Sequence, residues 1–442
     1  MGERLTRHRP YDGPMRAPVE VAIVWSASLA SALLAFGFSI ALARTLDAAA
    51  FGTFMTVFAV SRLAAPLAQG GVSEMWLQAF GRHGRAASAW IVPGLGAMAS
   101  TAGLAVLGMA AWGMALAPSG EAGELAIVMA VAVALGAPAD NAIAEPMLRG
   151  RFVRVALWQL APYVVRIAAV GVAALVSWRS DGTRALGGPL VIALVAGTAL
   201  TSVIGMRWIL RLRRDPPIDD APTHEPMPHA PAAGAALVRS LPFAVQGLAY
   251  LAVLQVGTIA LGSAQLVEDA GSFSVAMNIV TAMHLLPSAV FARVFAPRYF
   301  LWGNSDPARL ARTAPRVLAW VMVVSILAST LAWFVLPWAI PLVFGQAQQA
   351  AVAPARTLAL AFPVWCLAAG LTAHHTTPTE VRWRTLCWVG LAAITIGGCI
   401  LQAPTAGMEG VVTAVIAGQV AFAILALIGQ LVFVGPRWRT AS

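Results

Sequence analysis

Arg62 and Arg166 stand out chemically because each lies inside a long apolar stretch, where a charge is costly. Arginine keeps its charge at any relevant pH, and its planar fork grips phosphate or carboxylate oxygens in pairs. At helical spacing Arg62 shares a face with Pro66, Gln69 and Ser73, with Glu74 beside the end of that stripe. Arg166 shares a face with Gln159 and Tyr163. Two polar stripes, each with one arginine, suit a cavity for an anionic head group. The plainer reading is a pair of structural ion pairs, Arg62 with Glu74 or Arg166 with Asp140, and the sequence leaves both open. Asp140, Asn141 and Glu145 form a further cluster. A carboxylate in a low-dielectric cavity can hold a proton near neutral pH, so Asp140 is the candidate for proton coupling, with Glu74 as a second acid. The plainer role for Asp140 is to neutralise Arg149 or Arg166.

The elements that must position these residues follow from composition. Hydrophobic residues make up 59% of the 442, charged residues only 11%, and mean hydropathy is +0.77. A soluble domain carries roughly a quarter charged residues, which excludes that class. Apolar runs long enough to cross a bilayer, about 20 residues each, recur from end to end. The expectation is an all-α polytopic membrane protein with about twelve spans: 19–43, 52–79, 87–117, 122–147, 152–177, 187–211, 237–263, 271–297, 315–344, 353–373, 383–403 and 408–434. The first is too long, and too well followed by others, for a cleaved signal peptide.

The formal charge of +10 does not indicate nucleic acid. Every basic residue is arginine, and most fall in alternate connections: Arg4, Arg7, Arg9 and Arg16, then Arg82/Arg85, Arg149/Arg151/Arg154, Arg207 to Arg239, Arg293 to Arg316, Arg382/Arg384 and Arg437/Arg439. The opposite connections hold only Arg44, Arg179, Arg184 and Arg356. Arginine excess marks the cytoplasmic side, which places both termini there. Cys366, Cys387 and Cys399 have neither a disulfide framework nor metal-ligand spacing and read as small apolar fillers. No metal site and no cofactor is expected.

One pattern organises the chain. The stretches "IALARTLDAAAFGTF" (40–54) and "IALGSAQLVEDAGSF" (259–273) align without a gap. A proline-rich polar segment, "RDPPIDDAPTHEPMPHAPAAG", separates them and reads as a flexible linker. The expected domains are a tail at 1–18, a six-helix bundle at 19–212, a linker at 213–236, a second six-helix bundle at 237–434 and a tail at 435–442. The repeat falls at the same place in each half, so the halves are parallel repeats, as in transporters that rock two bundles about a central site. Pro66, Pro93, Pro138, Pro162, Pro242, Pro287, Pro337 and Pro363 interrupt spans, either as tolerated kinks or as bends used in alternating access.

Several segments also resemble a known family. "ALARTLDAAAFGTFMTVFAVSRLAAPLAQGGVSEMWLQAFGR" looks like the first-to-second span signature of polysaccharide biosynthesis flippases, of the multidrug/oligosaccharidyl-lipid/polysaccharide (MOP) exporter superfamily. "EPMLRGRFVRVALWQLAPYVVRIAAV", "AIPLVFGQAQQAAVAPARTLALAFPVW" and "GMEGVVTAVIAGQ" resemble later junctions of the same family. The resemblance implies a V-shaped twelve-helix bundle that flips an isoprenoid-pyrophosphate-linked oligosaccharide across the bacterial inner membrane. It also implies a monomer in contact with membrane lipids, with a polysaccharide polymerase and export machinery as further partners. Lipid II flippases resemble it less: their early charged pair in the first span has no counterpart in "VEVAIVWSASLASALL", which holds no acid or base after Glu20, and they usually carry fourteen spans. Drug-exporting relatives often place a carboxylate in that span, again missing. On this reading Arg62 and Arg166 would meet the pyrophosphate, with Gln69, Gln159, Tyr163 and Asn278 beside the head group.

Ser274, Asn278 and Thr281 share one face, as do Gln246 and Tyr250; they suit sugar hydroxyls or bonds to neighbouring helices. His284 reads as a satisfied intramembrane histidine, and His374/His375 as part of an interfacial loop. An embedded glycosyltransferase would need a large outer loop, and the longest, around "SWRSDGTRALGG", is short, so no enzyme is expected. The main alternative is a cation-coupled multidrug exporter of the same superfamily, which would place carboxylates rather than arginines in its cavity. A major-facilitator transporter has only the incomplete "FGRHGRAASAW" in its favour, and a non-transporting scaffold leaves the intramembrane arginines unexplained.

Overall fold

The computed structural model describes residues 17–179, 187–217, 232–287 and 306–436, with the isolated positions 291, 295, 299 and 302. The N-terminal arginines to Arg16, Arg184, most of the linker, the end of the eighth expected span with Arg293 and Arg298, and Arg437/Arg439 lie outside the described residues, as does the Gln246 side chain. The described chain is helical, without a strand. Its helices are α1 (Ala17–Thr45), α2 (Ala48–Gln69), α3 (Val72–His83), α4 (Ile91–Ala115), α5 (Gly120–Asn141), α6 (Ala144–Leu148), α7 (Phe152–Arg179), α8 (Gly187–Arg214), α9 (Ala233–Ser263), α10 (Val267–Pro287), α11 (Pro307–Phe344), α12 (Val352–Ala373) and α13 (Pro378–Gly429).

Large apolar side chains point outward along these helices: Leu33, Leu107, Ile192, Trp320, Trp338 and Leu401 are all exposed. Many of the buried positions are alanine. That inversion suits lipid, where small residues let helix backbones approach and large ones meet acyl chains. Among the described residues eight helical stretches are long and apolar enough to cross a membrane, or nine with the bent α9. The expected twelve spans are not separated one for one. Two of the eight, Ala48–Ala115 and Arg382–Val434, run to 68 and 53 residues, more than twice the length one crossing needs. The first contains the glycine pair Gly70–Gly71 and the 3-10 turn Gly84–Trp90; the second breaks at Gly407, which has a φ of 57°.

The helices gather into two compact units that cross the sequence halves. One unit comprises the described residues up to Ser39, Ala64–Gly113 and Glu124–Gly247. Its core holds Trp76, Phe80, Trp90, Ile91, Ile209 and Leu212. The Trp76 indole donates to the Trp90 carbonyl at 3.1 Å, and the bare Gly94 backbone leaves room for that ring.

The other unit comprises Ile40–Leu63, Met114–Gly123 and the chain from Leu248 onward, and it accounts for the repeat. Both copies lie in this unit, packed on each other. Gly52 and Gly271 occupy matching positions, and a Cβ on Gly271 would come 3.1 Å from the Gly52 Cα. A Cβ on Gly52 would stand 1.8 Å from the Val267 carbonyl oxygen, so no side chain fits. Asp47 begins α2 by accepting from the Ala50 N–H at 2.8 Å, the usual way a short acid satisfies an orphan donor at a helix start. Arg44 serves the opposite end of another helix: its guanidinium donates to the Val343 carbonyl at 2.7 Å and to that of Leu342. These are among the last carbonyls of α11, which lack helical partners, and a cation there also complements the helix dipole.

Candidate functional site

Span two is not one continuous helix, which changes how its polar stripe is presented. α2 stops at Gln69, and Gly70 and Gly71 both take φ of 65°, a left-handed conformation that glycine adopts without steric cost. Asn141, the last residue of α5, closes the break. Its amide nitrogen donates to the Gln69 and Ala137 carbonyls, both at 3.0 Å, and its oxygen accepts the Ser73 N–H at 2.8 Å. One buried side chain thus satisfies backbone groups that the interrupted helices leave open. Ser73 consequently leaves the stripe predicted for it and bonds Glu74 instead, Oγ to Oε2 at 2.7 Å. Glu74 faces outward on α3, exposed.

With the backbone fixed there, Gln69 donates from its side chain to the Asp140 carboxylate at 2.8 Å. Asp140 lies in the field of Arg166, whose guanidinium sits 5.1 Å from the centre of the Tyr163 ring, one turn earlier on α7. Gln69, Asp140, Tyr163 and Arg166 are all half-buried within apolar helices, and together they form one polar cluster from α2, α5 and α7. Gln159 lies on the same face of α7 and donates to the Ser28 hydroxyl of α1 at 3.0 Å. Arg149 has its own acids: Glu145 at 2.6 Å and the exposed Asp215 at 3.0 Å. Of the two plain roles open to Asp140, the structure brings it to Arg166.

The sequence matches no protein-family model, and no curated protein matches it. Solved structures do match over nearly the whole chain. The lipid II flippase MurJ, in an inward closed conformation, superposes with a TM-score of 0.66 at 12% identity, over 95% of this chain and 90% of that one. An inward-facing multidrug resistance MATE family transporter of the MOP superfamily gives 0.60 at 16% identity, over 93% and 96%. The MATE multidrug transporter DinF-BH gives 0.62 at 13% identity, over 97% and 98%. The fold is that of the MOP-superfamily transporters.

Within this MOP fold, Arg62 belongs to the other unit, half-buried near the end of α2, with the Tyr250 phenol of α9 in its field. Asn278 lies half-buried on α10 of the same unit. Of the two intraspan arginines, Arg166 has a tyrosine ring against it, that of Tyr163. Helical spacing places Tyr163 on the Arg166 face, and the structure keeps them together.

Other expectations are revised. His284 is buried but is not a hydrogen-bonded histidine: among the described residues neither ring nitrogen has a hydrogen-bond partner, and the ring stacks on Trp365 at 4.4 Å. His374 and His375 do lie in the short connection between α12 and α13, and there they are buried, with His374 Nδ1 3.3 Å from the Gln430 side-chain oxygen. Burial pushes the His374 imidazole down to about 4, so it is neutral at physiological pH. The three cysteines are buried and free, in keeping with a filler role. Near Pro138 the Leu135 carbonyl accepts from the Ser202 hydroxyl of α8, one partner of the kind a proline-interrupted membrane helix requires. Among the described residues no group of His, Cys, Asp and Glu is arranged to hold a metal.

Proposed function

We propose that this protein is a flippase that moves an isoprenoid-pyrophosphate-linked oligosaccharide across the bacterial inner membrane by alternating access, for export of a surface polysaccharide. The observation that carries the reading is Arg166, a cation half-buried in the apolar α7 and set among Tyr163, Gln69 and Asp140. A phosphate cannot enter hydrocarbon bare, whereas a fixed guanidinium offers paired charge-assisted bonds to its oxygens. The isoprenoid tail needs no polar partner and stays in lipid. Arg62, in the other unit, supplies a second such cation. In this reading the protein works as a monomer alongside a polysaccharide polymerase, and the arginine distribution supports cytoplasmic placement of both termini.

The competing reading is a cation-coupled multidrug exporter, favoured by Asp140, a half-buried carboxylate within the same cluster. In the flippase reading Asp140 balances Arg166 when no substrate is bound, and it is the site where a proton would couple to transport. The two readings separate in a strain from which the gene is deleted. Loss of surface polymer with accumulation of lipid-linked precursor is expected, restored by wild type and not by Arg62→Ala or Arg166→Ala at matched expression. Normal polymer in the deletion strain, with increased sensitivity to cationic dyes, would establish the exporter instead.

A further inference from the structure

The outward face of α8 changes character towards its end. At helical spacing Ile192, Leu200 and Val203 share an exposed face, and Arg207, Arg211 and Arg214 continue it, also exposed. α7 packs beside α8 and shows the reverse order, the exposed Arg154 preceding the exposed Leu157 and Val164. The rings of Trp158 and Trp208 meet at 4.4 Å, which brings the start of α7 and the end of α8 to one level. Both rings are half-buried, and the Trp158 indole donates to the Ala139 carbonyl of α5 at 2.8 Å, so the pair is fixed. Arg154 stands one turn before Trp158 on the same side of α7, and Arg211 one turn after Trp208 on the same side of α8. Two arginines thus flank the α7–α8 seam just beyond its tryptophans. The acids at this end, Glu145 and Asp215, are both taken up by Arg149. Among the described residues neither Arg154 nor Arg211 has an acidic partner.

We infer that this seam is a binding site for an acidic glycerophospholipid of the surrounding bilayer, with Arg154 and Arg211 on its phosphate. The exposed aliphatic side chains below the seam, Leu157 and Leu200 among them, meet acyl chains. The tryptophan pair lies where the apolar face gives way to arginine, the level at which ring bodies sit against chains and ring edges against ester groups. A lipid phosphate beyond them is in reach of a guanidinium from each helix, and each fork offers paired charge-assisted bonds to its oxygens. Arg207 and Arg214, on the same face of α8, set the selectivity: they attract a head group of net negative charge and repel the ammonium of a zwitterionic one. The site is separate from the polar cluster of the proposed transport function. Arg166 lies twelve residues further along α7, about 18 Å at helical rise, on a face turned towards Asp140. The site therefore stands or falls independently of the flippase reading.

The test titrates delipidated full-length protein, in a neutral detergent, with dioleoylphosphatidylglycerol or dioleoylphosphatidylcholine and counts bound lipids by native mass spectrometry. The first phosphatidylglycerol is expected to bind about 25-fold more tightly than the first phosphatidylcholine, two arginines at about fivefold each. Arg154→Gln and Arg211→Gln should each lower that ratio about fivefold and together remove it, with phosphatidylcholine binding unchanged. Both arginines are exposed, so the melting temperature should stay that of wild type. Replacing Arg82 and Arg85 together by glutamine removes as much charge from the same unit and should leave the ratio intact. Wild type without a preference, or a seam double variant that keeps it, would overturn the site. An equal loss in the Arg82/Arg85 variant would also overturn it, assigning the preference to the general field of the basic end. Displacement of bound phosphatidylglycerol by equimolar farnesyl pyrophosphate would give the seam to an isoprenoid substrate instead, overturning the phospholipid site while leaving the flippase standing.

Discussion

The two intraspan arginines differ in their surroundings, and the difference separates two ways of keeping a charge inside an apolar protein. Arg166 lies over the Tyr163 ring and in the field of Asp140, which is itself held by Gln69. Arg62 has the phenol of Tyr250, from another helix, in its field. The first arrangement joins opposite charges, and removing one leaves the other exposed to the cost of burial. The second sets a cation within electrostatic reach of a phenol on another helix, with no opposite charge needed for that interaction.

The largest effect that would sharpen this contrast comes from breaking the pair. Arg166→Ala is expected to destabilise the protein by about 3 kcal/mol, because the half-buried Asp140 carboxyl loses its counter-charge. Adding Asp140→Asn should recover part of that loss, measured as the thermal midpoint of the purified protein in nanodiscs. A double variant no more stable than Arg166→Ala would show that the two groups are not coupled. Next in size is Asn141→Ala, which removes the two hydrogen bonds that span the Gly70–Gly71 break and a third to Ala137 within α5, and should cost roughly 2 kcal/mol. It should also raise amide exchange at Ser73 and loosen the Gln69 contact to Asp140, with no change in exchange along α10. Smallest is Tyr163→Ala, expected to cost about 0.5–1 kcal/mol through the lost cation–ring contact, with Tyr163→Phe near wild type because the ring face remains. If Tyr163→Phe were as harmful as Tyr163→Ala, the hydroxyl rather than the ring would be the working part.

Much of the site was legible as single faces of single helices. Arg166, Tyr163 and Gln159 follow from helical spacing, and their shared face on α7 is where the structure has them. The stripe through Arg62, Gln69 and Ser73 was legible only as far as Gln69. Two adjacent glycines then broke the helix, and Ser73 was turned to Asn141 and Glu74. The glycine pair was visible in the sequence, but membrane helices tolerate glycine, so its meaning depended on the Asn141 side chain that seals it. The packing of Trp365, Trp388 and Phe422 on one another was not legible, since aromatic residues spread over α12 and α13 look the same whether they fill a core or face lipid.

By itself the sequence determined the class of the protein: a bilayer-spanning helical chain with two intraspan arginines and a hairpin written twice. Composition and run length suffice for that, because lipid leaves helices as the way for such apolar segments to satisfy their own backbones. Only the tertiary structure decided that Gly52 meets Gly271, that Asp140 answers Arg166 rather than Arg149, and that Asn141 seals the Gly70–Gly71 break. Spacing along one helix defines its faces, but which face meets which is set by packing between helices far apart in the chain.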